Sequence, residues 1–251
     1  MNELLFSGER LHPKQDDLNA ISYNKQYHFV ADYLKGKVVL DNACGNGLGS
    51  QIYLRKAKEL FGIDISKEAV ENARKLNPRG SFKAMDAIKL EIKQKFDAIV
   101  SFATLEHIKE YKKYLSECKR VLKPKGILII ETPNVDFYSR VDRTSHFHET
   151  EFSSEGLREA LEQSGFTIRE FWGVSFSQRA RSYISRIEAK RKNPLYDFLF
   201  KIYLPLSIYI PKGMKSKLRK SVSKAEFNED DVIISKELDK AHEFIVIANK
   251  A

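Results

Sequence analysis

Residues 37–50, KVVLDNACGNGLGS, set the fold. Val38, Val39 and Leu40 form a β-branched and aliphatic run suited to a strand buried on both faces, and the run ends in an acid, Asp41. A glycine loop follows at once. Gly45, Gly47 and Gly49 permit a sharp turn and a close approach of backbone to a ligand. The segment after them opens a helix whose positive N-terminal end faces the loop. Nicotinamide enzymes share this general plan, but the dinucleotide pattern Gly-x-Gly-x-x-Gly fails here. Counted from Gly45 its third position is Ser50, and counted from Gly47 it is Ile52.

The next strands give the loop its meaning. A second acid, Asp64, ends ELFGIDIS, and a third, Asp86, follows the strand in SFKAMDA. Further on come FDAIVSFATLEHI at 96–108 and LKPKGILIIETPN at 122–134. In this order, D-x-A-C-G-x-G and then G-I-D-I-S resemble the class I S-adenosylmethionine-dependent methyltransferases. That resemblance implies an α/β fold, a Rossmann-like, seven-stranded, mostly parallel sheet with its last strand antiparallel and helices on both faces. It implies S-adenosylmethionine as cofactor. Asp41, Ala43, Gly45 and Gly47 would hold its methionine part, Asp64 its ribose hydroxyls, and Ile65, Asp86, Ala87 and Phe102 its adenine and surroundings. Each acid could instead cap a helix or close a turn; three in register after successive strands favour the cofactor.

Amphipathic and apolar patterns place the remaining elements. A helix is expected from Asp17 to Leu34, with Leu18, Ile21, Phe29, Val30 and Tyr33 turned inward. Helices are expected near 48–58, 67–76, 109–122 and 154–163, and strands near 59–64, 81–85, 96–102, 126–132, 166–174 and 243–249. The organisation expected is a leader and helix over 1–35, a cofactor-binding core over 36–174, an inserted cap over 175–242, and a final core strand over 243–251. Seventy residues are far too many for an ordinary hairpin loop.

Charge singles out the same insertion. Residues 181–225 hold 12 Lys and Arg against 2 acids, a local balance of +10, so the rest of this +9 chain carries −1. Within it, LYDFLFKIYLPLSIYI at 195–210 has twelve apolar residues in sixteen and runs into PKGMKSKLRK. Such a segment is too short to span a bilayer but suits its interface, so residues 195–220 are a candidate peripheral membrane contact. A hydrophobic hairpin packed on the core or on a second subunit fits the pattern equally well, and monomer and homodimer both stay open. MNELLFSGERLHP lacks the layout of a signal peptide, and an intracellular, cytoplasmic protein is expected, with the inner membrane face as the surface it could touch. Cys44 and Cys118 form no metal or redox spacing and are expected to be reduced thiols. Nucleic acid ranks below small-molecule acceptors, because SFATLEH stands where base-methylating enzymes carry N-P-P-Y.

A narrower resemblance lies outside the cofactor motifs. The leader SGERLHP at 7–13, TPNVDFYSR, and FHETEF at 147–152 are similar to methyltransferases of surface-polysaccharide and glycan biosynthesis clusters, which carry T-G-E-R-F-x-P and F-H-x-x-E-F. Phe147, His148, Glu151 and Phe152 match the second pattern, while Leu11 departs from the first. This resemblance implies O-methylation of a saccharide or glycolipid precursor, with an amino-sugar nitrogen, a phenol or quinone, or a catalytically silent scaffold as alternatives. His148 is the first candidate for general base, since a neutral imidazole accepts a hydroxyl proton near physiological pH. Glu151 would orient it, and His107, beside Glu106, is the further catalytic candidate. His146 belongs to the same stretch. Related quinone O-methyltransferases carry a metal-binding E-x-x-E-H, but Ala103 replaces the first glutamate here, and no metal is expected.

Overall fold

The computed structural model describes residues 18–140, 148–191 and 227–251. The leader at 7–13, His146, Phe147 and the apolar-basic segment 195–220 lie outside the described residues.

Strands and helices alternate in the order β1 (Val38–Asn42), α2 (Leu48–Tyr53), β2 (Glu59–Asp64), α3 (Lys67–Leu76), β3 (Ser81–Ala84), β4 (Phe96–Phe102), α4 (Tyr111–Val121) and β5 (Leu122–Pro133). Helix α1 (Leu18–Ala31) precedes them. After β5 come α5 (Val135–Arg140), α6 (Ser154–Gln163), β6 (Phe166–Phe176), α7 (Gln178–Arg191), β7 (Val232–Ser235) and β8 (Glu243–Lys250). All eight strands join one sheet in the order β3-β2-β1-β4-β5-β8-β6-β7. The first five run parallel; β8 lies antiparallel between β5 and β6, and β7 lies antiparallel outside β6. The expected sheet therefore gains an eighth strand, formed by the short β-branched run from Val232 inside the segment assigned to the cap.

The central strands are buried on both faces, which is why β4, β5 and β8 read as near-continuous apolar runs. Alternating side chains feed two cores. Leu40, Ile99, Leu128 and Val246 pack with Tyr114 and Leu115 of α4 and Leu157 and Leu161 of α6. Val39, Val100, Ile129 and Ile245 pack on the opposite face with Leu18 and Val30 of α1, Ile52 of α2 and Val70 of α3.

Two helices differ from expectation. The helix after the glycine loop ends at Tyr53 and gives way to a turn, because the chain must fold back for Lys58 to bond Lys37 and start β2. In α1 the buried positions are Leu18, Ser22, Gln26, Val30 and Ala31. Ile21, Phe29 and Tyr33 are only half-buried; Phe29 packs edge-on against Trp172 of β6. The inward stripe is polar at its centre because the strand ends beneath α1 carry carboxylates.

Candidate active site

The C-terminal ends of β1, β2 and β3 bring Asp41, Asp64 and Asp86 to one rim of the sheet. Asp64 is nearly buried, and its carboxylate is a hub: Oδ2 accepts the Gly45 N–H and Oδ1 the Ser66 N–H, both at 2.9 Å. Each ionised oxygen keeps a further lone pair for a hydroxyl donor. Ser66 in turn caps α3 by accepting from Ala69 N–H. Asp41 is buried and accepts from Ser50 Oγ. Burial, reinforced by the nearby Asp64, pushes its carboxyl up to about 7 against the lowering effect of Ser50. Asp86 is exposed and closes a turn through the Ile88 N–H at 3.0 Å.

Backbone geometry shapes the loop between them. Ala43, Gly45 and Gly47 all have positive φ, at 69°, 52° and 80°. Ala43 is a non-glycine residue in the left-handed region, a conformation that costs about 1 kcal/mol and concentrates at functional sites. The two glycines act differently. A Cβ on Gly45 would meet nothing within 4 Å, so the backbone there opens to a ligand, whereas one on Gly47 would stand 2.6 Å from Asn77 Nδ2 and 2.9 Å from the Ala73 Cβ. Gly47 therefore lets α3 press against the loop, an arrangement tied by Asn77 Nδ2 donating to Gly47 O at 2.8 Å.

These residues fit an adenosyl-methionine. Ile65, directly after Asp64, is 76% exposed, the most exposed large apolar side chain among the described residues, and offers a flat ring a hydrophobic face beside the Asp64 carboxylate. Ala87 is half-buried on the core edge, and Phe102 is half-buried with its ring centroid 5.1 Å from that of Tyr27.

A second cluster lies on the same rim, after β4. Glu106 is buried, accepts from Thr132 Oγ1 at 2.9 Å, and through its backbone carbonyl accepts the N–H groups of Glu149 and Thr150 at 2.8 and 3.1 Å. Those two bonds fix the loop that carries His148. As a result the His107 and His148 rings meet edge-on with centroids 5.2 Å apart, and Nδ1 of His148 stands 3.4 Å from Oε1 of the exposed Glu151. Burial raises the Glu106 carboxyl to about 7, partly offset by His107, whose Nε2 is 3.8 Å from Glu106 Oε1. The three sequence-predicted catalytic residues are thus brought together, with Glu106 as their buried support. Donor atoms of Glu106, His107 and His148 all lie within 4.8 Å of one another, close enough to share a divalent ion. Ala103, at the missing-glutamate position, adds no donor and instead adopts φ 44°.

Sequence reasoning passed over three buried polar side chains near this rim: Gln26, Glu131 and Glu243. Each had a signal. Gln26 interrupts an apolar helix stripe, and the two glutamates directly adjoin the apolar runs ILII and FIVIA of their strands. Cys44 and Cys118 are both free thiols, as expected.

Residues 40–130 match the family described as "Methyltransferase domain". A protein of Mycolicibacterium smegmatis described as a probable S-adenosylmethionine-dependent methyltransferase is 30% identical over 151 residues, 59% of each chain. One of Mycobacterium tuberculosis with the same description is 28% identical over 188 residues, 73% of this chain and 69% of its own. The chain thus spans between about half and about two thirds of the length of these relatives. Among solved structures, an S-adenosylmethionine-dependent methyltransferase from Clostridium acetobutylicum superposes with a TM-score of 0.59 at 14% identity, covering 92% of this chain and 93% of its own. At that identity the likeness shows the fold.

Proposed function

We propose that this chain, a class I S-adenosylmethionine-dependent methyltransferase by its domain match and its sheet, methylates a hydroxyl oxygen of a saccharide or lipid-linked glycan precursor. The observation that supports this reading is the placement of two clusters on one rim: the acids at the ends of β1, β2 and β3, which we assign to the cofactor, and His107 after β4 together with His148 and Glu151 from the loop before α6, which we assign to the acceptor. The bound cofactor supplies a methyl group on a sulfonium, and the chain's own residues do the rest. Asp64 accepts the ribose hydroxyls, Asp41 faces the ammonium, and the Ile65 side chain covers one face of the adenine. His148, steadied by Glu151, would take the proton of the acceptor hydroxyl whose oxygen receives the methyl group. Positioning that oxygen for the transfer would account for much of the expected acceleration.

The saccharide is supported by the similarity of FHETEF and the leader to glycan-cluster methyltransferases. Among the described residues no helix is long and apolar enough to cross a membrane. A lipid-linked acceptor would meet the chain at a membrane surface through residues 195–220, and liposome flotation with and without that segment tests this contact. The function itself is tested by methyl transfer from labelled cofactor to a panel of nucleotide sugars, lipid-linked glycans and catechols. Label on a glycan oxygen is the expected result. Transfer to catechols alone would replace the saccharide with a phenol, and cofactor binding without transfer to any acceptor would make the chain a scaffold.

A further inference from the structure

Beyond the residues already given roles, the rim buries a pair of carboxylates to which no Lys or Arg is paired among the described residues. Glu131 lies near the end of β5 and Glu243 opens β8, and the register sets Pro133 opposite Glu243 and Ile245 opposite Glu131, so the two glutamates are diagonal neighbours. Ile129 and Ile245, two residues along each strand, pack with Leu18 and Val30 of α1. Alternation therefore puts both carboxylates beneath that helix. Glu131 is fully buried; its Oε2 accepts the Ala103 N–H at 2.8 Å, while Oε1 has no partner. From α1, Gln26 is also fully buried and donates to Glu243 Oε2 at 2.7 Å, leaving its own Oε1 unmatched.

With Glu131 ionised both open atoms are acceptors, and what is missing is a donor. No Lys or Arg pairs with Glu131 or Glu243 among the described residues; Lys25, on the same helix, spends its ammonium on the carbonyls of Glu229 and Val232. His242 Nε2 stands 3.4 Å from Glu243 Oε2, and no cationic side chain is paired with Glu131 among the described residues. Burial, Glu243 and Glu106 all act to disfavour the charged form of Glu131, a standing cost that a bound cation removes. The sheet order says whose cation. The cofactor acids occupy β1, β2 and the end of β3, and β5 and β8 lie on the other side of β4, the half of the rim left to the acceptor.

We propose that Glu131, Glu243 and Gln26 form a subsite for a protonated amine of the acceptor, so that the substrate is an aminated saccharide. The sugar part of this statement rests on the function proposed above, and the amine part on the carboxylates alone. Held against Glu131, the ammonium keeps its proton and serves as an anchor, while a hydroxyl of the same molecule faces His148.

The test is calorimetry on the full chain saturated with S-adenosylhomocysteine, using glucosamine, N-acetylglucosamine, cyclohexylamine and cyclohexanol as probes. Glucosamine is expected to bind about tenfold or more tighter than N-acetylglucosamine, and cyclohexylamine than cyclohexanol, as a charge-assisted hydrogen bond in a buried site requires. Glu131→Gln should erase both preferences and leave homocysteine-product affinity unchanged. The variant is nearly isosteric and removes buried like charge, so its melting temperature at pH 8 should equal or exceed that of the parent, which separates a lost subsite from a lost fold. Equal binding within each pair, or preferences that survive Glu131→Gln, would overturn the amine subsite, as would failure of both amines to bind. A Glu131-dependent preference for cyclohexylamine without glucosamine binding would keep the subsite and remove the sugar.

Discussion

The carboxylate of Asp64 accepts the backbone N–H of Gly45 at 2.9 Å, so the group we propose to receive ribose hydroxyls also holds the glycine loop in shape. The same side chain fixes the start of α3 through Ser66 N–H. The proposed cofactor recognition and loop folding are thus joined in one residue. Asp64→Ala is therefore expected to leave two N–H groups without acceptors and to lower stability by about 1–3 kcal/mol as well as weakening cofactor binding. Asp64→Asn, which keeps one carbonyl acceptor, should lose less stability and still bind cofactor poorly. Denaturant titration beside calorimetry checks both; an alanine variant of parental stability would show that the two bonds contribute little.

Stability should fall as the solution becomes more alkaline through the Asp41 transition. In the folded chain this carboxyl is raised from 3.8 to about 7 by burial, so between those values the native state holds a proton that the unfolded chain has released. The contribution is full below the unfolded value and is lost as pH rises through the folded one. Asp41→Asn should flatten the dependence, gaining about 1–4 kcal/mol relative to the parent between pH 5 and pH 8. Unfolding free energies at the two pH values decide it, and parallel curves would remove Asp41 as the source.

Gly45 and Gly47 should answer differently to alanine. At Gly47 the new Cβ would collide with Asn77 and Ala73 in addition to the unfavourable φ, for a loss of about 2–4 kcal/mol. At Gly45 the Cβ enters open space, so only the φ cost of about 1–2 kcal/mol applies, and the methyl stands where the proposed cofactor would approach. Gly45→Ala is expected to raise the cofactor Kd with a modest change in melting temperature. A Gly45→Ala variant that binds cofactor normally would show that the ligand does not approach this backbone.

His148→Ala should lower kcat by about a hundredfold or more while leaving cofactor affinity intact, the loss expected when a general base is removed. Glu151→Gln, which keeps a group within reach of His148 Nδ1, should cost less. Single-turnover rates with saturating cofactor measure both, and parental rates in the histidine variant would assign its loop a purely structural part.

The sheet was legible because its strands are simple. DAIVSF, ILIIE and FIVIAN carry so many β-branched and aliphatic residues that burial on both faces is the only economical outcome, and the glycine loop marks where ligand meets backbone. The candidate acids after β1, β2 and β3 come with the family resemblance, and His107 and His148 are separate candidates whose ring contact is not visible in the sequence. The inward face of α1 was not legible in detail. Apolar periodicity points to Ile21 and Phe29, yet the helix lies over strand ends whose buried groups are polar, so Ser22 and Gln26 turn inward instead. In the sequence Glu106 is marked only as the neighbour of His107. Its importance comes from two carbonyl bonds to residues 149 and 150, contacts that no local pattern announces. The strand at Val232 is too short to stand out from its surroundings, and it forms because the exposed edge of β6 is there to receive it.

The position of β8 has a consequence for synthesis on the ribosome. This strand supplies both ladders that join β5 to β6, and its residues come after all the others in the sheet. Until they leave the exit tunnel, the parallel half of the protein must wait with an unpaired, strongly apolar border along Ile127–Ile130. A nascent chain in that condition is an invitation to chaperones, and a stalled or nicked one lacking these eight residues would expose a surface built to capture a strand from any neighbour.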